Sequence, residues 1–329
     1  MLKYILKRLG LSLLILLGVS LVIYFLVRLM PVDYVMTKIQ GMNQSGNVDE
    51  ATVKMMYESY GLGDDSFAGI LKGYVSWLGS MCTGDLGESF IYGENVATVI
   101  GDKMGTSFII ALVATFFEFM IAIPLGITAA THQYSIRDYV VTVLVMIGIS
   151  LPSFFFGQVL KGIFSMGLGW FPSSGMSSAT ASYTGFRAIL DNMWHLVIPI
   201  MTIVILSIGP RMRMTRTNML EVMNSDYIRT ARAKGLEEKV VINKHAFRNT
   251  LIPLVTSMAG LLPSLFSGAM ITEQVFDIEG IGKVALNAMN SGDIPFIMGY
   301  NMFLALLSVL GVLLSDLAYG LVDPRVKLK

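Results

Sequence analysis

Ionisable side chains are scarce in this chain, and the places where they occur are where its chemistry must lie. The densest group is Asp226–Pro253, DYIRTARAKGLEEKVVINKHAFRNTLIP, where seven basic residues (Arg229, Arg232, Lys234, Lys239, Lys244, His245 and Arg248) stand against three acids. A polar segment of this kind between two apolar stretches can recognise a soluble partner or an anionic lipid surface. Two further carboxylates, Glu118 and Asp316, interrupt apolar runs. An acid near the middle of a bilayer costs about 2.5–3.5 kcal/mol on insertion scales, so each should face the protein interior or a partner. Hydrolytic, metal and nucleotide chemistry have no matching pattern. The chain has no His-Glu-x-x-His, no Gly-x-Ser-x-Gly and no Gly-x-x-x-x-Gly-Lys-Ser/Thr sequence. Its single cysteine, Cys82, reads as a small filler and forms no internal disulfide, and no Cys/His cluster has metal-ligand spacing. His132 and His195 read as ordinary interface histidines. An intramembrane protease or lipid transferase would need a convergent acid, base or metal set that these residues do not form.

The elements that hold these groups are set by composition. Of 329 residues, 54% are hydrophobic and only 14% charged, against about a quarter charged in soluble domains. The apolar residues fall in blocks near the roughly 20 residues a helix needs to cross a hydrocarbon core. Six are read: Leu9–Leu29, Phe108–Ala130, Tyr139–Leu160, Met193–Gly209, Leu251–Ile271 and Phe296–Leu321. The fourth is expected to be broken by Pro199 and to end at Gly209-Pro210. The expected class is therefore an all-α integral membrane protein with six transmembrane helices. Lys3, Lys7 and Arg8 precede an apolar run without a small-x-small cleavage site, which reads as an uncleaved anchor.

Charge fixes the expected orientation. With the N-terminus inside, segments 1–8, 132–138, 210–250 and 322–329 carry sixteen basic and six acidic residues, and the outer segments carry eight basic and fifteen acidic. An N-in, C-in topology follows from the positive-inside rule. The net charge of +1 thus hides a polarised molecule.

Between spans one and two lies an outer segment, 31–103. It is expected to hold a helix over Asp49–Tyr60, stopped at Gly61, and a second over Phe67–Leu78. In the second, Ile70, Leu71, Tyr74, Trp77 and Leu78 share one face, as in a helix at the membrane interface. Such a segment can be a cap on the spans, a platform for an external partner, or both. Loop 161–192 carries Trp170-Phe171-Pro172 as an interfacial anchor, and loop 272–295 has a turn at Gly280-Ile281-Gly282 followed by a short helix over Lys283–Asn290. The domain reading is 1–103, the first helix plus a cap, and 104–329, a five-helix core with a cytoplasmic segment at 211–250.

Asp226–Pro253 itself reads as helix, stop and restart. Ser225 suits an N-cap, Asp226 the positive helix end, and Gly235 the C′ position. Glu237 and Glu238 then open a second helix that is expected to end near Lys244, His245 and Arg248. Tyr227, Ile228 and Ala231 form an apolar edge on a basic helix, the pattern of an element that fits a groove on a soluble domain. Charge alone favours attraction to anionic lipid. The cap, stop and restart favour docking, because lipid attraction needs no such order.

These residues also carry a resemblance. Asp226–Gly235, DYIRTARAKG, with His245-Ala246-Phe247-Arg248-Asn249 and Ile252-Pro253, resembles the cytoplasmic motif of binding-protein-dependent ABC importer permeases, in the variant of the dipeptide/oligopeptide/nickel branch. The N-terminal KYILKRLG, Gly84-Asp85-Leu86-Gly87 with Ser89 and Phe90, Glu273-x-Val275-Phe276 with Gly280 and Gly282, and Asp323-Pro324-Arg325 agree. The similarity runs over nearly the whole chain. The large outer segment and short N-terminus resemble the B-type subunit. The chain departs from the broader pattern in having Arg229-Thr230-Ala231 where Glu-Ala-Ala is usual.

The resemblance implies a type I importer fold in a bacterial or archaeal cytoplasmic membrane. It further implies a C-type permease partner, two ATPase subunits that hold ATP and magnesium, and an extracytoplasmic substrate-binding (lipo)protein. No cofactor is expected on this chain, nor any nucleic acid. The coupling helix would comprise Asp226, Tyr227, Ile228, Arg229, Thr230, Ala231, Arg232, Ala233 and Lys234, closed by Gly235. Glu118 and Asp316 become candidate pathway residues, Glu118 for a peptide amino group, with a structural bond to a neighbouring span as the alternative. The carried solute would be a peptide, or else a nickel chelate or a glutathione-like compound.

Overall fold

A computed structural model describes residues 2–29, 66–178 and 183–322. The expected helix over Asp49–Tyr60 and the Asp323-Pro324-Arg325 motif lie outside them. The described residues are helical, with no strand and one isolated bridge between Glu88 and Asn95. The helices are α1 (Leu2–Arg28), α2 (Phe67–Cys82), α3 (Val96–Thr131), α4 (Ile136–Ser150), α5 (Ser153–Leu160), α6 (Phe186–Met223) and α7 (Asp226–Ala233). They are followed by α8 (Glu238–Val240), α9 (Phe247–Ser257), α10 (Leu261–Phe266), α11 (Met270–Val275), α12 (Ile281–Ser291) and α13 (Ile294–Val322). Among the described residues, five helical stretches, one of them the composite Glu238–Val275, are long and apolar enough to cross a membrane, or six if α4 and α5 count as one bent span.

The chain divides into two compact units, residues 1–105 with 284–309, and residues 106–283 with 310–328. In the first, α2 packs on α1. Trp77 and Tyr24 are buried together with Val27, Ile294 and Met298, and Ile70, Tyr74 and Phe90 close the cluster. The Tyr74 hydroxyl hydrogen-bonds Ser20 Oγ at 2.8 Å. Ser20 lies eight residues, about 12 Å, along α1 from Arg28. Ile70, Tyr74 and Trp77 thus form the expected buried face, whereas Leu71 turns outward. The same unit contains a cradle that sequence reading did not single out. Asp293, fully buried, accepts hydrogen bonds from the backbone N–H groups of Phe90 (3.1 Å) and Ile91 (3.2 Å) and from the Ser89 hydroxyl. This ties the turn after Gly84-Asp85-Leu86-Gly87 to the start of α13. Cys82 is exposed at the end of α2, so the filler role is not what it performs.

In the second unit, prolines act differently from place to place. Before Pro152, Leu151 is forced out of the helical region and sits at φ −88°, ψ 132°. The expected third span therefore breaks, with a bend of 104° between Ile136–Ser150 and Ser153–Gly167, and α5 continues as a π-helix over Lys161–Gly167. Pro199 and Pro210, by contrast, lie within α6, which runs unbroken for 38 residues. The expected end at Gly209-Pro210 is thus corrected. A Cβ at Gly209 would lie 2.3 Å from Ile149 Cδ1, so the glycine is where α4 closes on α6.

At about 1.5 Å per residue α6 is about 57 Å long, nearly twice a hydrocarbon core of about 30 Å. Its excess forms a stalk. On the last turns of that stalk Met219 packs with Ala130, Ile228, Ala231, Val241 and Ala246 in a small buried core. The segment after α7 does not end near Arg248 as expected. Helix α8 passes through a π-helix, Val241–Ala246, straight into α9, and Lys244, His245 and Arg248 occupy its interior. That path continues through a 3₁₀ turn at Met258–Gly260 and α10 to Gly268.

Candidate functional site

Three places collect the singled-out residues, beginning with α7. Ser225 takes the N-cap conformation (φ −75°, ψ 152°) but makes no side-chain cap; its hydroxyl donates to the Val222 carbonyl. The C-terminus is closed more firmly. Gly235, at φ +75°, donates its N–H to Arg232 O at 2.9 Å, and Leu236 donates to Ala231 O at 3.4 Å. This pair of bonds is the Schellman closure, which needs the left-handed conformation glycine adopts without strain. Across the turn, Arg232 forks onto Glu238, with Nε and Nη2 bonds of 3.1 and 2.7 Å. The Arg232 hydrogen bonds hold the Glu238 carboxyl in its charged form, so the turn is locked at neutral pH.

The burial of α7 corrects the expected docking edge. Ile228 is 0% exposed and Ala231 is 6% exposed, both against the chain's own stalk core. Ile228 and Ala231 hold the helix on its own protein. The face left open comprises Tyr227, Thr230, Ala233 and Lys234, flanked by Asp226 and Arg229. The Arg229–Asp226 pair, at 3.7 Å and fully accessible, adds little. Sequence had given Arg229 and Arg232 equal weight. Geometry separates them, since Arg229 is open to solvent and Arg232 is engaged in the turn.

The second place is Glu118. Its Oε1 accepts from Arg211 Nε at 3.0 Å, with side chains 13% and 16% exposed. The same guanidinium donates to Ser257 Oγ at 2.9 Å and lies 4.5 Å from the Phe119 ring centroid. One cation thereby joins α3, α6 and the end of α9, where the helix tightens into the 3₁₀ turn. Sequence reading missed Arg211 because it counted the residue as cytoplasmic; extending α6 past Pro210 would have placed it in the span. Asp316 lies on α13, beside Ser315, whose hydroxyl reaches Val255 O (3.4 Å) and Thr256 O (3.3 Å). The two acids are not brought into one site by any bond described here.

The third place is the loop motif. Glu273 is 1% exposed and anchors a closed knot. Oε1 accepts from Ser107 Oγ (2.7 Å) and Ala269 N–H (3.0 Å), and Oε2 from Lys283 N–H (2.9 Å). Ser107 Oγ in turn accepts Ile281 N–H at 2.9 Å. A Cβ at Gly280 would lie 2.5 Å from Glu273 Oε2, and one at Gly282 2.9 Å from it. The glycines are there for room around a buried carboxylate. Phe276, 2% exposed, fills the adjoining core with Ile110, Leu196 and Ile198. Nearby Asp277, at φ +54°, is held below the ordinary carboxylate range by hydrogen bonding to Lys283. Ser107 had no sequence signal, since a lone serine in an apolar run is unremarkable. The two histidines have structural partners: His195 Nδ1 meets the Asp191 carbonyl at 2.8 Å, and His132 lies 3.2 Å from Arg137. Among the described residues no three His, Cys, Asp or Glu side chains could hold a metal ion.

Comparison with known proteins adds to this geometry. Residues 122–328 match the family model described as binding-protein-dependent transport system inner membrane component. The chain is 35% identical to the oligopeptide transport system permease protein AppB of Bacillus subtilis, over 99% of this chain and all of that protein. It is 32% identical to the di/tripeptide transport system permease protein DppB of Pseudomonas aeruginosa, over 99% of both. In the solved structures, an inward-facing MetNI methionine ABC transporter chain aligns with 70% of this chain and 98% of its own length, at 19% identity and a TM-score of 0.49. With the apolar spans and the family match over most of the chain, the protein belongs to the binding-protein-dependent transport system inner membrane components.

Proposed function

We propose that this chain is the B-type permease of an ATP-driven peptide importer, forming half of the pathway together with a C-type permease in a bacterial or archaeal cytoplasmic membrane. The observation that carries the coupling role is the construction of α7: a short helix fixed to a stalk by Ile228 and Ala231, locked by Gly235 and the Arg232–Glu238 pair, and open along Tyr227, Thr230 and Lys234. A helix held rigidly on its own spans can transmit a displacement, which a flexible basic loop cannot. The sequence has no phosphate-cradling loop, so ATP and magnesium are assigned to partner ATPase subunits. Closure of those subunits would move α7 and, through the stalk, α6 and α9.

Peptide is the favoured solute class because AppB and DppB carry it in their names over their full length. The N-in, C-in orientation, supported by the basic bias of the segments around α7, puts this helix on the ATPase side. Glu118 is retained as a pathway candidate only in a state that releases Arg211. The knot at Glu273 gives the loop facing the binding protein a fixed shape. The domain reading, a first helix with a cap and a five-helix core, fits an added element on a common transport core. The solute is tested on the partnering binding protein by thermal shift against di- and oligopeptides, nickel chelates and glutathione. Stabilisation by peptides supports the reading. Stabilisation by a nickel chelate alone refutes the peptide assignment.

A further inference from the structure

One cavity lies apart from everything described above. It has a volume of about 450 Å³ and is lined by Tyr183, Arg187, Leu190, Asp191 and Trp194. Four of these fall at i, i+3, i+4 and i+7 on the first turns of α6, so one helix face builds most of the wall. Asp191 is fixed in place. Its Oδ2 accepts from Ser178 N–H and its Oδ1 from the Ser178 hydroxyl, both at 2.7 Å, with His195 Nδ1 3.7 Å from Oδ1, which leaves Oδ2 a lone pair toward the cavity. Arg187 is exposed and makes no ion pair with any described residue.

The surroundings are apolar. Phe186, Ile189, Leu190, Met193 and Trp194 are all exposed on the same turns. Trp194 lies against Phe171 with ring centroids 4.6 Å apart and planes tilted by 41°, and the rings continue through Phe164 to Trp170. Such a belt marks the level of the membrane–water interface, and α6 is a membrane-spanning helix whose end this is. An arginine there reaches for the phosphate layer. We propose that this cavity binds the headgroup of a zwitterionic phospholipid, with Arg187 on the phosphate, Asp191 on the ammonium and Leu190, Met193 and Trp194, deeper along α6, against the acyl chains. An anionic lipid without an amine would set its charge against Asp191. A free peptide has matching charges but leaves the apolar rim uncovered.

The test is native mass spectrometry of the full-length chain, released from micelles doped with equal phosphatidylethanolamine and phosphatidylglycerol. Wild type should retain phosphatidylethanolamine about tenfold over phosphatidylglycerol, and Arg187→Gln should lower that retention about tenfold. Arg187 is exposed, so the variant should fold; Asp191→Asn should erase the preference between the two lipids. A dipeptide added in excess should displace no lipid. Equal retention of both lipids by wild type, wild-type retention by Arg187→Gln, or displacement by the dipeptide would overturn the proposal.

Discussion

Removing Arg211 while leaving Glu118 in place is the perturbation whose size the structure best defines. The Glu118–Arg211 pair is 13–16% exposed and lies between three helices of the second unit. In Arg211→Met the carboxylate loses its 3.0 Å donor, and Ser257 loses its 2.9 Å partner. Breaking one side of a buried pair costs about 3–5 kcal/mol, because the remaining charge is left desolvated. Replacing both sides removes that charge, so Glu118→Leu/Arg211→Met should lie within about 1 kcal/mol of wild type or above it. Glu118→Leu leaves the Arg211 cation unpaired and should likewise cost about 3–5 kcal/mol. The assay is equilibrium SDS-titration unfolding of the four proteins, read as a double-mutant cycle. Additive losses in the double variant would refute the argument that the pair is a single neutralised unit. Glu118→Gln tests the pathway role separately: normal affinity and rate of uptake in that variant would remove Glu118 from the pathway.

Ser107→Ala should destabilise the protein by about 1–3 kcal/mol, since it removes one donor to Glu273 and strands the Ile281 N–H. Thermal unfolding in detergent measures it, and Glu273→Gln should not be additive with it. Gly235→Ala should cost about 1–2 kcal/mol by forcing a Cβ into the left-handed region. Limited proteolysis should then cut after α7 more readily than in wild type. Arg216→Met should cost several kcal/mol, about 3–5, because Arg216 bonds both oxygens of Asp138 (2.9 and 2.8 Å) and Asp138 is 4% exposed. Unfolding of Asp138→Asn/Arg216→Met near wild type would confirm that the cost is the stranded charge.

The sequence carried the helical spans well, because periodicity and length report burial in lipid directly. It misjudged proline. Pro152 and Pro210 look alike in a string of residues, yet Leu151 leaves the helical region before the first, whereas the second sits within the continuous α6. The Asp226–Pro253 segment was legible as helix, stop and restart through Asp226, Gly235 and Glu238. Its apolar edge was legible too, but not its owner: Ile228 and Ala231 face the stalk formed by Met219, a residue with no polarity to mark it. Buried carboxylates were half visible. Glu273 stood out through its glycines, whereas Asp293 and Ser107 depend on backbone donors brought from distant parts of the chain, and no spacing encodes those.

The central claim is that the open face of α7 meets an ATPase subunit while its buried face stays on the chain. Site-directed disulfide cross-linking measures this most directly, in a Cys82→Ser background that leaves no other cysteine. Tyr227→Cys, 47% exposed, should cross-link to a cysteine scanned along the ATPase cleft in the assembled complex, with a yield that changes when ATP is added. Ile228→Cys, which points into the stalk core, should not. Cross-linking at position 228 but not 227, or at neither with transport intact, would contradict the account.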